Sequence, residues 1–243
     1  MRPILFRWRG LTVWSYPALL YVGLVLGVLA GNVAAHAAGV DALGVFEATF
    51  LLLLPALIGA RLLFVATHWS DFRSDRRRIF ARSDGGAAQY GALAMILPLS
   101  LPVTSLLGIP LGEFWDAATF TILVGAVFTR VGCLLNGCCA GLPVRRWGVR
   151  LPNRAGAWER RVPTQLLEAL LAVLLFFGAA LAWRHRPFAG AVFLGTAGAY
   201  AVGRLGLESL RERPPESRRL TIHHVLSLVL IVTCGVVLAH RWR

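Results

Sequence analysis

Seven apolar runs of about twenty residues each dominate this chain of 243 residues. A helix that crosses the hydrocarbon core of a bilayer needs about 20 predominantly apolar residues, so each run is long enough to span it. Inside a bilayer every backbone N–H and C=O must be paired within the protein, and separate apolar runs achieve this as helices. We therefore predict an all-α, polytopic integral membrane protein with about seven transmembrane helices. The runs are residues 14–35, 45–67, 87–107, 114–134, 164–183, 188–207 and 221–240.

The composition agrees with a membrane protein that has no second domain. Charged residues make up 15% of the chain, whereas a soluble domain carries about 25%. The longest gap between apolar runs, residues 141–163, is basic and rich in turn-forming residues, and no soluble domain fits between the runs. We therefore expect residues 1–243 to form a single transmembrane domain.

The basic residues favour membrane lipids as partners. The formal net charge is +13, and the 25 basic residues are all arginine. A GC-rich genome would produce the same absence of lysine, but arginine also binds phosphate bidentately where lysine cannot. A positive protein attracts anionic headgroups. We expect no nucleic-acid partner, because the arginines lie between apolar runs and not on a soluble basic face.

Most arginines are predicted at one end of the helical bundle. They precede the first run and fill the connections 68–86, 130–163 and 204–220. The positive-inside rule would place this end in the cytoplasm. The opposite end carries only a few, namely Arg184, Arg186, Arg241 and Arg243.

Three arginines lie within or at the end of apolar runs, namely Arg61, Arg130 and Arg204. A charged residue at the centre of a spanning helix costs on the order of 2.5–3.5 kcal/mol, so each should meet either a protein carboxylate or a bound anion. Ion pairing with Asp116, Glu168 and Glu208 is the structural alternative. For the three arginines together, we favour an anion site.

The sixth run carries polar residues at helical spacing. Tyr200, Arg204, Glu208 and Arg211 follow the spacing i, i+4, i+8 and i+11, which places them on one helix face. Glu208 is therefore expected to orient both Arg204 and Arg211.

The segment TRVGCLLNGCCAG, residues 129–141, ends the fourth run with three cysteines. A structural zinc site needs four ligands. Cys133, Cys138 and Cys139 offer three thiols without a nearby histidine, so we predict no metal site and no cofactor. The thiols could serve packing or a change of chemistry.

Six motifs together resemble the prolipoprotein diacylglyceryl transferase family over nearly the whole chain. Their occurrence in the family's order, at compatible spacing, makes the resemblance specific. The motifs are LTVWSYPALLYVGLVLG with Tyr16, GARLLFV with Arg61, GGAAQYGALA at 85–94, RVGCLLNGCCAG at 130–141, RVPTQLLEALL at 161–171 and GRLGLESLRERPP at 203–215.

The chain also departs from the family pattern. The histidine of the family's third-helix motif falls on Tyr90, an asparagine of its signature falls on Cys133, and the signature's glutamate falls on Cys138. The anion-binding half of the pattern is kept, namely Arg130, Asn136, Gly141, Arg204 and Arg211, together with Glu208, which would orient the arginines.

The resemblance implies transfer of a diacylglyceryl group from phosphatidylglycerol to the lipobox cysteine thiol of a prolipoprotein. It implies catalytic roles for Arg130, Arg204, Tyr90 and Glu208. It implies substrate-binding roles for Tyr16, Arg61, Asn136, Gly137, Gly141, Tyr200 and Arg211. Because Tyr90 replaces the histidine, a different acceptor or a non-catalytic lipid-binding homologue stays an alternative.

The resemblance also implies partners and location. These are phosphatidylglycerol, the prolipoprotein signal peptide and membrane lipids, in a multi-pass protein of the bacterial inner membrane. In the family the catalytic end faces the periplasm, which is opposite to the orientation that the arginine distribution predicts. We give the resemblance more weight, because arginines that bind anionic lipid would crowd that end whatever its orientation.

Overall fold

The computed structural model describes residues 2–80, 89–152, 156–212 and 222–241. Within them, seven long α-helices lie at the seven predicted places. One further helix, α3, is a single turn. The helices are α1 Ser15–Ala37, α2 Ala42–Thr67, α3 Trp69–Phe72, α4 Gln89–Leu106, α5 Leu111–Asn136, α6 Thr164–Ala182, α7 Ala191–Ser209 and α8 Ile222–Arg241.

Five of the described helices are long and apolar enough to cross a membrane, namely α1, α2, α5, α6 and α8. The apolar part of α4 is shorter, spanning Tyr90–Leu106, and α7 carries the charged residues Arg204 and Glu208. The prediction of an all-α polytopic membrane protein is confirmed. The count of seven spans stays a prediction.

Two short antiparallel hairpins, which the sequence analysis did not anticipate, accompany the helices. The first pairs β1, Ile4–Trp8, with β2, Leu11–Trp14, and the second pairs β3, Val149–Pro152, with β4, Trp158–Arg161. The strands are only four or five residues long and contain several arginines. Such segments are hard to distinguish from polar connections by hydrophobic periodicity.

Small residues allow the helices to pack closely. Helix α1 lies along α5, α2 along α4, α6 along α5, and α8 along α7. On the α1 face that meets α5, glycine recurs every fourth residue, at Gly23, Gly27 and Gly31. A Cβ atom on Gly27 would lie 2.6 Å from the carbonyl oxygen of Thr121. Such small-residue faces let backbones approach where lipid tails provide no hydrophobic driving force.

A buried carboxylate fixes the start of α7. Asp116 on α5 is fully buried. Its Oδ2 accepts a hydrogen bond from the Gly190 N–H at 2.8 Å, and its Oδ1 accepts one from the Phe193 N–H at 2.9 Å. Nη1 of Arg186 lies 3.7 Å from Oδ2. The carboxylate thereby satisfies two N–H groups at the beginning of a helix, where no intrahelical partner exists.

We expect Gly27→Ala to destabilise the protein by about 1–3 kcal/mol, because the new methyl group overpacks the contact between α1 and α5. The control is Gly178→Ala on α6, where a Cβ meets no atom within 4 Å. Gly178→Ala should not destabilise the protein, and the higher helix propensity of alanine should stabilise it by up to about 1 kcal/mol. Thermal unfolding in detergent measures both variants, and equal stability of the two would contradict the close packing.

Candidate functional site

One buried carboxylate binds three guanidinium groups. Glu168 on α6 has a side chain only 1% exposed. Its Oε2 lies 2.6 Å from Nε of Arg130 on α5. Its Oε1 accepts hydrogen bonds of 2.8 Å from Nη1 of Arg204 on α7 and from Nη2 of Arg211, just beyond the end of α7. Glu168 therefore joins three separate segments at one point.

The three arginines differ in the donors that they have left. Arg204 has both terminal nitrogens engaged, because Nη2 lies 2.7 Å from Oε2 of Glu208. Arg130 uses Nε, and its two terminal nitrogens donate no hydrogen bond to any described residue. The buried Nε of Arg211 also has no hydrogen-bond partner within the described ranges. Three guanidiniums and two carboxylates leave this arginine cluster with a net charge of +1.

The geometry confirms part of the expected arrangement on α7. Arg204 and Glu208 are both buried and paired, as their spacing predicts. Arg211 lies beyond the last helical residue, Ser209, so it does not continue the helix face. The carboxylate that binds Arg211 at 2.8 Å is Glu168.

An apolar cavity of about 200 Å³ lies beside the arginine cluster, between α4, α5, α7 and α8. Two tyrosines line it and also lie within electrostatic reach of the cluster, Tyr200 of Arg130 and Tyr90 of Arg204. The Tyr90 hydroxyl shares a hydrogen bond of 2.8 Å with the Ser227 hydroxyl on α8. The two tyrosines thus lie on the side of the apolar cavity that faces the arginine cluster.

Helix α5 ends in a Schellman motif. Gly137 adopts the left-handed conformation (φ 78°, ψ 20°), which glycine accepts without steric cost. Its N–H donates to the Leu134 carbonyl at 3.2 Å, and the Cys138 N–H donates to the Cys133 carbonyl at 3.1 Å. This motif commonly brings the side chains of its first and last residues into contact. Here those residues are Cys133 and Cys138.

The backbone of the next two residues is held by α6. Gln165 donates from Nε2 to the Cys138 carbonyl at 2.6 Å, and Thr164 donates from Oγ1 to the Cys139 carbonyl at 2.7 Å. Cys139 has φ 64°, a conformation that non-glycine residues rarely adopt. The Sγ atoms of Cys133, Cys138 and Cys139 lie within 4.8 Å of one another.

The other predicted site residues near α5 surround these thiols. Tyr16 packs on Gly132: a Cβ atom added to Gly132 would lie only 3.2 Å from Cδ2 of the Tyr16 ring. Tyr16 also lies within electrostatic reach of Arg130. Asn136 hydrogen-bonds the Cys138 side chain. Gly141 pairs with Arg211 in an isolated β-bridge, which places that arginine beside the cluster.

Arg61 has a different environment from the arginine cluster. It donates hydrogen bonds from Nε to the Ile79 carbonyl at 2.9 Å and from Nη2 to the Arg78 carbonyl at 3.1 Å, and it lies over the ring of Phe72. These contacts hold the 3₁₀ turn Arg76–Phe80. Its substrate-binding role stays a prediction. The glycines 85 and 86 of the third motif lie outside the described residues.

Sequence reasoning missed the central residue of the cluster. From the sequence, Glu168 was predicted only as one of three possible ion-pair partners of the arginines. The available signal was the motif RVPTQLLEALL, in which Gln165 and Glu168 share a helix face. Both side chains, and that of Thr164, prove to be fully or almost fully buried. A polar triad at the start of an apolar helix indicates polar partners on neighbouring helices.

The surroundings of Cys139 favour its thiolate form. Hydrogen bonds from the thiols of Cys133 and Cys138, together with the positive charges of Arg211 and Arg130, lower the pKa of Cys139 below the usual cysteine value. Its side chain is exposed, so it can be reached by reagents. Low pKa with access is the combination that makes a cysteine reactive.

We expect Cys139 to be alkylated by iodoacetamide at a nearly constant rate from pH 8.5 to 6.5. A lowered pKa keeps the thiolate present as pH falls, whereas an ordinary thiol of pKa about 8.5 loses close to tenfold in rate per pH unit below it. Mass spectrometry of the peptide containing Cys139 measures the rate, with Cys234 as the internal comparison. A tenfold loss per unit at Cys139 would show an ordinary thiol.

Comparison with known proteins gives one consistent result. A model of the family "Prolipoprotein diacylglyceryl transferase" matches residues 3–240. The chain is 29% identical over 253 residues to the phosphatidylglycerol–prolipoprotein diacylglyceryl transferase of Enterococcus faecalis, covering 99% of this chain and 90% of that protein. It is 26% identical over 238 residues to the protein of the same name from Trichormus variabilis, covering 93% and 82%.

Proposed function

The chain belongs to the prolipoprotein diacylglyceryl transferase family, and we propose that its arginine cluster and adjoining cavity hold phosphatidylglycerol during transfer. The chain is a membrane-bound transferase of lipoprotein biosynthesis. It moves a diacylglyceryl group from phosphatidylglycerol to the lipobox cysteine thiol of prolipoproteins. The observation that supports the site assignment is the convergence of three guanidiniums on Glu168, beside an apolar cavity.

Charge matches the cluster to a phosphodiester. The net charge of +1 on the cluster would be neutralised by one monoanionic phosphate. Arg130 presents two terminal nitrogens that bind no described residue, and such a pair suits two phosphate oxygens. Arg211 adds its unpartnered Nε. In this proposal Arg130 and Arg211 bind the phosphate, while Glu168 and Glu208 hold Arg204, which positions the cluster.

The same groups would assist bond cleavage. When the bond between the glycerol carbon and the phosphate oxygen breaks, the leaving glycerol phosphate gains negative charge. Fixed guanidiniums in a partly desolvated site stabilise that charge in the transition state. The apolar cavity lined by Tyr90 and Tyr200 would accept an acyl chain of the same lipid. The tyrosines would then lie near the glycerol backbone, where the chemistry takes place.

Tyr90 is the group that we place nearest to the incoming thiol. A tyrosine of pKa about 10 is a weak base at neutral pH. It can still donate or accept a hydrogen bond, and its bond to Ser227 fixes the hydroxyl. The positive cluster would supply the remaining stabilisation of the attacking thiolate. Contacts with the lipid headgroup or the signal peptide are proposed for Tyr16, Asn136, Gly137 and Gly141.

The protein is a multi-pass membrane protein, and we propose the bacterial inner membrane with the arginine-rich end facing the periplasm. Four arginines at this end are paired with protein carboxylates, namely Arg130, Arg161, Arg204 and Arg211. In this proposal the arginines crowd that end because they build the cluster and the proposed lipid site, so their number there does not report the cytoplasmic side. The prolipoprotein signal peptide, itself apolar, would approach from within the bilayer.

We expect Arg130→Lys to weaken phosphatidylglycerol binding by about tenfold or more, because lysine keeps the charge but loses the bidentate geometry. The matched control is Arg186→Lys, an arginine near the opposite end of α5 that pairs with Asp116. Binding is measured in nanodiscs with a fixed phosphatidylglycerol fraction. If both variants bind like the wild type while folded, Arg130 does not contact the phosphate.

For Tyr90 we expect opposite effects of two substitutions on transfer to a lipobox peptide. Tyr90→His supplies a base of pKa about 6.5 and should raise the rate by up to about 10²-fold if base catalysis limits it. Tyr90→Phe removes the hydroxyl and should lower the rate. Initial rates near pH 7 are compared at equal folded concentration, with Tyr21→Phe as control, since Tyr21 on α1 is 68% exposed.

Two outcomes would overturn this assignment. If the wild type and both Tyr90 variants are inactive while phosphatidylglycerol still binds, the acceptor is not the lipobox thiol or the protein only binds lipid. If the wild type is fast and Tyr90→Phe is equally fast, the thiol is activated by the arginine cluster without Tyr90.

A further inference from the structure

We propose that Cys133, Cys138 and Cys139 form a three-thiolate site for a soft monovalent metal ion, Cu(I), at the end of α5. Their Sγ atoms all lie within 4.8 Å of one another. Three sulfurs placed trigonally around an ion at a metal–sulfur distance of about 2.3 Å lie about 4 Å apart. Small side-chain rotations would therefore close the observed triangle around one ion.

The backbone holds the three residues in this arrangement. The Schellman motif brings Cys138 back over Cys133, and the Cys138 thiol donates to the Cys133 carbonyl at 3.6 Å. The left-handed conformation of Cys139 turns the chain directly after it. Hydrogen bonds from Gln165 and Thr164 fix the two carbonyls. Rare backbone conformations persist where the surroundings enforce them, and they concentrate at functional sites.

Two arginines act on the exposed corner of the triangle, at Cys139. Arg130 and Arg211 both act on Cys139 through their positive charge. Three thiolates and one monovalent cation carry a net charge of −2, of which the net charge of +1 on the arginine cluster would offset one unit. Metal binding would release up to three thiol protons to solvent, so affinity should fall as the pH is lowered.

The ligand set selects the ion. Thiolates prefer soft ions such as Cu(I), and zinc is bound almost always by four ligands in structural sites. Among the described residues, the group of candidate ligands contains these three thiols and no histidine or carboxylate. A three-coordinate, monovalent ion fits that set without a fourth donor.

Access to the triangle is available from one side. Cys133 is buried, Cys138 is partly buried, and Cys139 is exposed. A cavity of about 400 Å³ opens against Cys138 and Cys139, with Gly137, Ala140 and Pro152 on its walls. An ion would therefore enter from this cavity, past Cys139, and the buried Cys133 would close the site on the opposite side.

The test is a competition titration of the purified, fully reduced protein with Cu(I) against bathocuproine disulfonate. One Cu(I) per chain should be taken from the chelator, with thiolate-to-copper charge-transfer absorption and only sulfur neighbours in X-ray absorption. Cys138→Ser and Cys139→Ser should each weaken binding at least 10-fold. Cys234→Ser, which removes a buried thiol on α8, should leave binding unchanged.

Several results would overturn the proposal. Equal copper binding by the wild type and by folded Cys138→Ser and Cys139→Ser variants would place the ion elsewhere. Tight Zn²⁺ binding without Cu(I) binding would reject the three-coordinate assignment. A disulfide between two of the three cysteines, in most molecules isolated without reductant, would show that the thiols form a redox pair and not a metal site. The titration uses no lipid or peptide, so its result is independent of the transfer assays.

Discussion

The ion-pair cluster around Glu168 is the constraint on which the functional end of this protein depends. A buried carboxylate in an apolar helix is costly unless it is paired and hydrogen-bonded. Glu168 meets that requirement through guanidiniums from α5, α7 and the segment after α7. The requirement is mutual, because the same arginines would be costly without Glu168. The cluster therefore fixes how these elements meet, and it leaves the surplus positive charge at which we propose that the lipid phosphate binds.

The rest of the bundle is arranged so that this meeting can occur. The glycines of α1 let α5 approach closely, and Asp116, near the other end of α5, anchors the start of α7 through two backbone N–H groups. Asp116 and Arg130 are fourteen residues apart on α5, which corresponds to about 21 Å along a helix. Two buried carboxylates thus tie α5 to its neighbours near opposite ends, and the apolar cavity lies between the two ties.

Of the three cysteines at the end of α5, Cys139 lies within the electrostatic influence of the same arginines. The arginines that could bind a lipid phosphate also lower the pKa of Cys139, because both roles use the same fixed positive charge. The arginines of the family pattern are retained, at Arg130, Arg204 and Arg211. In the signature segment, by contrast, sulfur replaces an amide and a carboxylate.

The sequence by itself determined the membrane class, the places of the seven long helices and the pairing of Arg204 with Glu208, because these follow from run length, hydropathy and helical spacing. Only the tertiary structure decided that Glu168 is the centre of the cluster and that Arg211 leaves the helix face. It also decided that the sulfurs of the three cysteines within residues 133–139 come within 4.8 Å of one another. The physical reason is that ion pairing and sulfur proximity depend on how separate helices pack and on the backbone turn at Gly137. Hydrophobic periodicity records neither of these.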